Sequence, residues 1–240
     1  MRVTLYVGTS GWAYSQWKPG FYPSKVPQSR FLEHYAGALT ACEVNATFYR
    51  SQSPQTFAKW AGQVPDGFRF ALKAHRSFSM RKDMALDDYR RAILADFLRS
   101  ASPLGKSFGI LLFSYPKHVE PDRESLAGFL DEFPPEPRCA LEFRSERVAS
   151  EMQDVVAASG ACMCLTDWSG EAPDALPPGP HAYVRLRAPR YGDTQRSAWR
   201  ALLEREARRR DVYAFVKHEE AGTGDEWAGL GLARWLVSKG

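Results

Sequence analysis

No stretch of this 240-residue chain approaches the ~20 consecutive apolar residues that an α-helix needs to cross a bilayer, although 44% of its residues are hydrophobic. The opening run Met1–Gly8 is too short and too alternating for the apolar centre of a signal peptide, and reads as a first strand. Cysteine is scarce, and four residues do not make a disulfide framework in a chain of this size. These absences make the cytoplasm the expected location, with no membrane partner. There is no dinucleotide-type glycine fingerprint and no compact metal motif such as HExxH. Internal repeats and linker composition are missing too. Neither sign of charge dominates, since 32 Lys and Arg face 28 Asp and Glu for a net charge of +4. That balance admits anionic ligands without requiring nucleic acid.

What is present is an alternation of strand and helix signals. Residues 3–8, 42–47, 68–73, 108–113, 138–143, 161–166, 181–186 and 211–216 read as strands. The run Phe108-Gly109-Ile110-Leu111-Leu112-Phe113 is almost unbroken in its apolarity, as suits a parallel strand covered on both faces. Helical periodicity or capping signals fall over 28–39, 53–64, 87–100, 123–132, 150–158, 194–209 and 225–238. Eight strands separated by helical segments predict an α/β fold, a single (β/α)8 TIM barrel over residues 1–240 with a parallel eight-stranded sheet. Long loops follow strands 1 and 3, and the strand 6–7 connection, rich in proline and glycine, is helix-poor. An open doubly wound sheet is the alternative topology.

In such a barrel the active site lies at the C-terminal strand ends. In chain order those ends carry Ser10; Glu43, Asn45 and Thr47; Lys73 and His75; Ser114 and Tyr115; Glu142 and Arg144; Asp167; Arg185 and Arg187; and Lys217 and His218. Strand alternation places Glu43, Asn45 and Thr47 on one face. Two close carboxylates can differ in pKa and serve as acid and base, while arginine suits bidentate binding of phosphate or carboxylate. The plainer reading is a structural layer of ion pairs at the barrel mouth. If Glu43, Glu142 and Asp167 point inward, parity sends Cys42, Cys139, Cys162 and Cys164 outward, under the helices. The aromatic loop from Trp12 to Tyr22 fits either a ring-stacking surface or a self-packed lid. Arg208-Arg209-Arg210 reads as a solvated helix end.

Several of these residues also carry a resemblance. Gly8-Thr9-Ser10-Gly11-Trp12, Phe21-Tyr22-Pro23, Glu43-x-Asn45-x-Thr47-Phe48-Tyr49, Phe70-Ala71-x-Lys73, Leu112-Phe113-x-x-Pro116, Glu142-Phe143-Arg144 and Tyr183-x-Arg185 resemble the YecE-like family, long catalogued as domain of unknown function 72. The resemblance covers nearly the whole chain and implies a TIM barrel, without a settled activity. Glu43, Asn45, Lys73, Glu142, Arg144 and Arg185 match its pattern and are carried over as site residues. The second half departs from it. Ser145-Glu146-Arg147 stands where a His-Pro and a Trp are common, Arg187 where His is common, and Val216-Lys217-His218-Glu219 where Phe-Asn-Asn is common. Two departures add cationic character, so a ligand inferred for the wider family does not carry over by itself.

The function expected is that of an enzyme of hydrolase, lyase or isomerase type acting on a phosphorylated or sugar-like anionic substrate. Glu43 and Glu142 are the acid and base candidates, Lys73 a base or electrostatic stabiliser, and Asp167 an assisting carboxylate. Ser10, Trp12, Asn45, Tyr49, Arg144, Arg185, Arg187 and Lys217 are the substrate-binding candidates. No cofactor is called for, and a divalent metal on Glu43, Glu142, Asp167 and His218 is the weaker reading. The alternatives are a nucleic-acid-binding or repair barrel, through Arg76, Arg81, Lys82 and the aromatic loop, and a non-catalytic small-molecule-binding protein. A monomer or weak homodimer is expected.

Overall fold

The structure, a computed structural model, describes residues 4–218 and 223–238. Val3, expected to begin the first strand, and Glu219, just past the eighth, lie outside the described residues. The elements run β1 (Leu5–Thr9), α1 (Phe31–Ala36), β2 (Ala41–Val44), α2 (Ala46–Tyr49), α3 (Pro54–Ala61), β3 (Arg69–Lys73) and α4 (Asp88–Ala101). They continue as β4 (Phe108–Tyr115), α5 (Arg123–Glu132), β5 (Arg138–Phe143), α6 (Glu146–Ala158), β6 (Cys162–Asp167), β7 (His181–Leu186), α7 (Asp193–Glu206), β8 (Asp211–Val216) and α8 (Gly229–Val237). The starts follow local chemistry. Ser53 caps α3 through the Thr56 amide with Pro54 at its first turn. Asp87, Asp122 and Ser145 cap α4, α5 and α6 in the same way.

All strand pairs are parallel, in the order β1-β8-β7-β6-β5-β4-β3-β2. The expected (β/α)8 barrel is the observed one, with the long loops after β1 and β3 and no helix between β6 and β7. Closure falls between β1 and β2. There the Ser10–Glu43 bridge, Thr40 N donating to Val7 O at 3.1 Å and Val7 N donating to Thr40 Oγ1 at 2.8 Å join the two ends of the sheet. Gly8 sits in this seam because nothing larger fits. A Cβ there would stand 1.8 Å from the Ala41 carbonyl oxygen.

Strand alternation divides the interior into two layers. Between sheet and helices lie Val7, Cys42, Leu72, Leu111, Leu141, Val184 and the apolar helix faces. Inside the barrel lie Tyr6, Ala41, Ala71, Ile110, Leu112, Ala140, Cys162, Cys164, Tyr183, Tyr213 and Phe215. Two residues further along each strand, the same inward parity delivers Glu43, Lys73, Ser114, Glu142, Thr166 and Arg185 to the C-terminal mouth.

Three expectations need correction. The second strand stops at Val44, and Asn45, at φ −85° and ψ −17°, already turns into α2. Glu43, Asn45 and Thr47 therefore do not share a strand face. Thr47 is instead buried, donating to Val44 O at 3.1 Å and Lys73 O at 2.7 Å. The parity of β6 is the reverse of that expected, so Cys162 and Cys164 face the barrel interior while Cys42 lies under the helices. The four thiols are free and buried. The arginine run at the end of α7 is not simply solvated. Arg210 pairs with Glu206 at 2.7 Å and donates to the carbonyls of Pro177 at 2.8 Å and Gly179 at 2.9 Å. It thus holds the connection that lacks a helix. No helix among the described residues is long and apolar enough to cross a membrane.

Two glycines test the closure. Gly8→Ala forces a side chain into backbone and is expected to cost about 3 kcal/mol or more. Gly128→Ala, on an exposed turn of α5 with open space at its Cβ, is expected to stabilise by about 0.5–1 kcal/mol. Urea titration of both variants reads the difference, and a neutral Gly8→Ala would show that the seam does not set closure.

Candidate functional site

The mouth is built on two buried glutamates and two buried arginines. Glu43, fully buried, receives Ser10 Oγ at 2.7 Å, Arg185 Nη2 at 3.0 Å and Arg187 Nη2 at 3.0 Å on Oε1. Its Oε2 takes the Tyr183 hydroxyl at 2.8 Å. Glu142 accepts Arg185 Nη1 on both oxygens at 2.7 and 2.8 Å. It also accepts Thr166 Oγ1 at 2.7 Å and the Ser114 hydroxyl. Arg185 therefore spans the barrel between carboxylates on β2 and β5. Arg187 adds a bond to Ser10 Oγ at 2.8 Å. Every carboxylate oxygen of the pair has a donor.

The electrostatics follow. Burial alone would raise both carboxyls. The arginines and hydroxyls outweigh it, holding Glu43 far below the usual carboxylate range and Glu142 down to about 2. Both are ionised at neutral pH and compensated by two guanidiniums. Lys73 stands beside them uncompensated. It is 8% exposed, its Nζ lies 4.5 Å from the Phe48 ring centroid, and no carboxylate of the described residues is within ion-pair range of it. Burial and then the Arg185 charge push its ammonium below its usual pKa, against the opposing pull of Glu142 and Glu43. Arg144 adds a further, exposed cation just past β5.

Of the expected site residues, Glu43, Glu142, Ser10, Arg185 and Arg187 form one bonded cluster, with Lys73 and Arg144 beside it. Asn45 is half-buried where α2 begins, Tyr49 is 69% exposed, and Lys217 lies exposed just past β8. Trp12 and Asp167 go elsewhere. Trp12 packs edge-on to Trp60 at 5.1 Å and Phe70 at 6.2 Å on the outer side of the sheet. The rest of the aromatic loop packs partly on itself, with Trp17 edge-on to Phe21 at 5.9 Å, and partly on α1, with Tyr22 stacked on Phe31 at 3.9 Å. Asp167 accepts the Ser169 amide at 2.9 Å, the Gly170 amide at 3.0 Å and the Tyr191 hydroxyl at 2.6 Å, fixing the loop after β6. His218 stacks on Tyr14 at 4.5 Å. Glu43, Glu142, Asp167 and His218 are therefore not gathered as a ligand set, and no group of three metal-binding side chains occurs among the described residues.

Thr166, Tyr183 and Trp168 escape the sequence reading as site residues. Tyr183 was open to it, since it lies two residues before Arg185 and shares its face. Thr166 was hidden by the neighbouring, more conspicuous Asp167. Trp168, 64% exposed after β6, belongs to no periodic pattern.

A family profile described as "Protein of unknown function DUF72" matches residues 6–229. The chain is similar to UPF0759 protein YunF of Bacillus subtilis, 25% identical over 59% of this chain and 51% of the relative. It is also similar to UPF0759 protein YecE of Escherichia coli K12, 28% identical over 58% of this chain and 48% of the relative. The matched stretches span about half the length of these curated relatives. Among solved structures, a DUF72 family protein of Thermotoga maritima superposes with a TM-score of 0.71 at 20% identity, covering 97% of this chain and 96% of that one. One of Enterococcus faecalis gives 0.68 at 14% identity, over 98% and 96%. These two likenesses speak to the fold alone.

The cluster's acid response follows from the depressed carboxyl of Glu142. Its ionised form stabilises the fold fully above the unfolded carboxyl pKa of about 4.3, and this contribution is lost as pH falls toward about 2. Glu142→Gln leaves Arg185 short of a counter-charge and is expected to cost about 3 kcal/mol at pH 7. The variant should then lose less stability than wild type between pH 7 and pH 3. Denaturant midpoints across that range check both statements, and parallel curves would remove Glu142 from the account.

Proposed function

The chain belongs to the DUF72 family, and from that premise we propose that its mouth is the anion-binding site of an enzyme acting on phosphorylated or sugar-like anionic small molecules. The observation that carries this is the saturation of both glutamates. With every oxygen of Glu43 and Glu142 receiving a donor, neither is poised to exchange protons at neutral pH. Their part is to hold Arg185 and Arg187 rigid. Arginine does not titrate in the working range. Of the residues gathered at the mouth, Lys73 is then the one whose chemistry suits both attraction of an anion and proton transfer. Acid–base work passes from the glutamate pair to Lys73, and Arg144 and Lys217 supply positive charge at the rim.

The rim also supports a ring-bearing ligand. In the closed strand order β2 and β6 stand opposite each other, so the exposed Tyr49 and Trp168 belong to segments that leave the barrel on opposite sides of the mouth. Ring faces on either side of a cationic centre suit a sugar or a base carrying an anionic group.

Lys73→Met should weaken binding of ribose 5-phosphate and gluconate by about tenfold or more, the loss of one charged hydrogen-bond donor, with Lys73→Arg recovering part of it. In wild type, affinity should fall as pH rises through the lowered pKa of Lys73, because deprotonation removes the attracting charge; in Lys73→Met it should stay flat over the same range. Calorimetric titration at several pH values measures this. Unchanged affinity in Lys73→Met would remove Lys73 from the site, and binding without turnover of any sugar phosphate would leave a sensor in place of an enzyme.

A further inference from the structure

The barrel carries a second charged recess at the end opposite the mouth. A cavity of about 640 Å³ opens among the N-terminal ends of β1, β3, β4, β5 and β8, with Arg69, Lys106, Arg138, Tyr6 and Tyr213 on its walls. That volume is in the range of small-molecule sites. Tyr6 and Tyr213 stack with centroids 5.0 Å apart, and the Arg69 guanidinium lies 5.4 Å from the Tyr6 ring centroid.

The arginines are anchored by one nitrogen each. Arg69 uses Nη1 alone, on the carbonyls of Asp66 at 2.9 Å and Phe68 at 2.8 Å. Arg138 uses Nη1 alone, on Asp211 at 2.6 Å and on the Tyr213 hydroxyl at 3.3 Å. Among the described residues no protein acceptor takes Nε or Nη2 of either. Those unclaimed N–H groups are the edge of the guanidinium that forks around a phosphate or carboxylate. Lys106 adds an exposed ammonium, and Glu136 is the wall's other carboxylate besides Asp211. Arg138 is compensated by Asp211, so Arg69 and Lys106 together exceed Glu136 in charge.

The placement is also tightly specified. Gly109 interrupts the apolar run of β4, where glycine ordinarily weakens a strand. A Cβ there would stand 3.0 Å from the Tyr213 ring and 3.1 Å from Arg69 Cβ. The glycine lets tyrosine and arginine close over the strand and fixes the wall from which the free guanidinium edges project.

We propose that this recess is a second ligand site, for a small molecule bearing a phosphate or carboxylate group. Arg69 and Arg138 supply the forked donors and Lys106 the long-range attraction. The role assigned to the recess is binding alone. The inference is independent of the reading given to the mouth.

Calorimetry of the full chain at low salt, with pyrophosphate and with citrate as probes, tests it and separates phosphate from carboxylate preference. At least one probe should bind, and Arg69→Gln and Lys106→Gln should each weaken it by about tenfold or more. The bound anion should also shield Lys106 from amine acylation, read by mass spectrometry. Lys106 is exposed, so its variant keeps the test intact if Arg69→Gln fails to fold. Lys73→Met serves as the control for the mouth. Absence of binding by both probes at millimolar concentration overturns the proposal. So does binding that Lys73→Met abolishes while Lys106→Gln binds as wild type and Lys106 of the wild-type protein stays open to acylation, since the anion then occupies the mouth alone.

Discussion

Arg185 reaches across the top of the barrel and binds Glu43 on one side and Glu142 on the other. Taking any one of these ions out of water costs several kcal/mol even after relaxation. The arrangement persists because every carboxylate oxygen has a donor and because Arg187 supplies the second positive charge. Much of the architecture answers to this requirement. Ala41, Ala71 and Ala140 sit one inward step below Glu43, Lys73 and Glu142, so the barrel is narrow in side-chain bulk where the long charged chains must converge. The seam between β1 and β2 carries Ser10 to Glu43, and the close approach allowed by Gly8 makes that bond reachable. Closure of the sheet and satisfaction of the buried charge are one constraint seen from two sides.

The same constraint limits the chemistry. A carboxylate held ionised by guanidiniums is a poor proton donor and a weak base, which is why the acid–base role proposed for the mouth falls to Lys73 and not to the two glutamates. They order the positive groups. The mouth is electrostatically a rigid, neutral pair of ion pairs with Lys73 left over, and an anion placed there meets donors whose orientation is already set. Preorganisation of this kind is what lets a polar site act without reorienting during a reaction.

Much of this was legible in the sequence. Strand number, helix placement and the convergence of Glu43, Lys73, Glu142, Arg185 and Arg187 follow from period-two alternation and from the rule that barrel sites lie at C-terminal strand ends. What was not legible turned on single-residue register. Shifting the inward face of β6 by one residue exchanges Asp167 for Thr166 and reverses Cys162 and Cys164. Both registers look reasonable, since a carboxylate beside a threonine draws the eye whichever way it points. The early end of β2 had no sequence signal either, because Asn45-Ala46-Thr47 is compatible with strand or turn. Trp12 showed its size but not its side, and loop aromatics are positioned by what they pack against, which composition does not report.

The two ends of the barrel differ in how arginine is used, and the difference bears on what each end can do. At the mouth both arginines meet buried carboxylates, and the strength of the site comes from mutual compensation. At the opposite end Arg69 is tethered to backbone carbonyls, which carry no net charge, and Arg138 gives a single nitrogen to Asp211. A guanidinium satisfied by carbonyls keeps its full charge for a ligand, whereas one satisfied by a carboxylate has most of its field cancelled nearby. An incoming anion at the mouth therefore gains chiefly from Lys73 and the rim. At the far end it gains from the arginine itself, and that is what gives the cavity the physical means to bind.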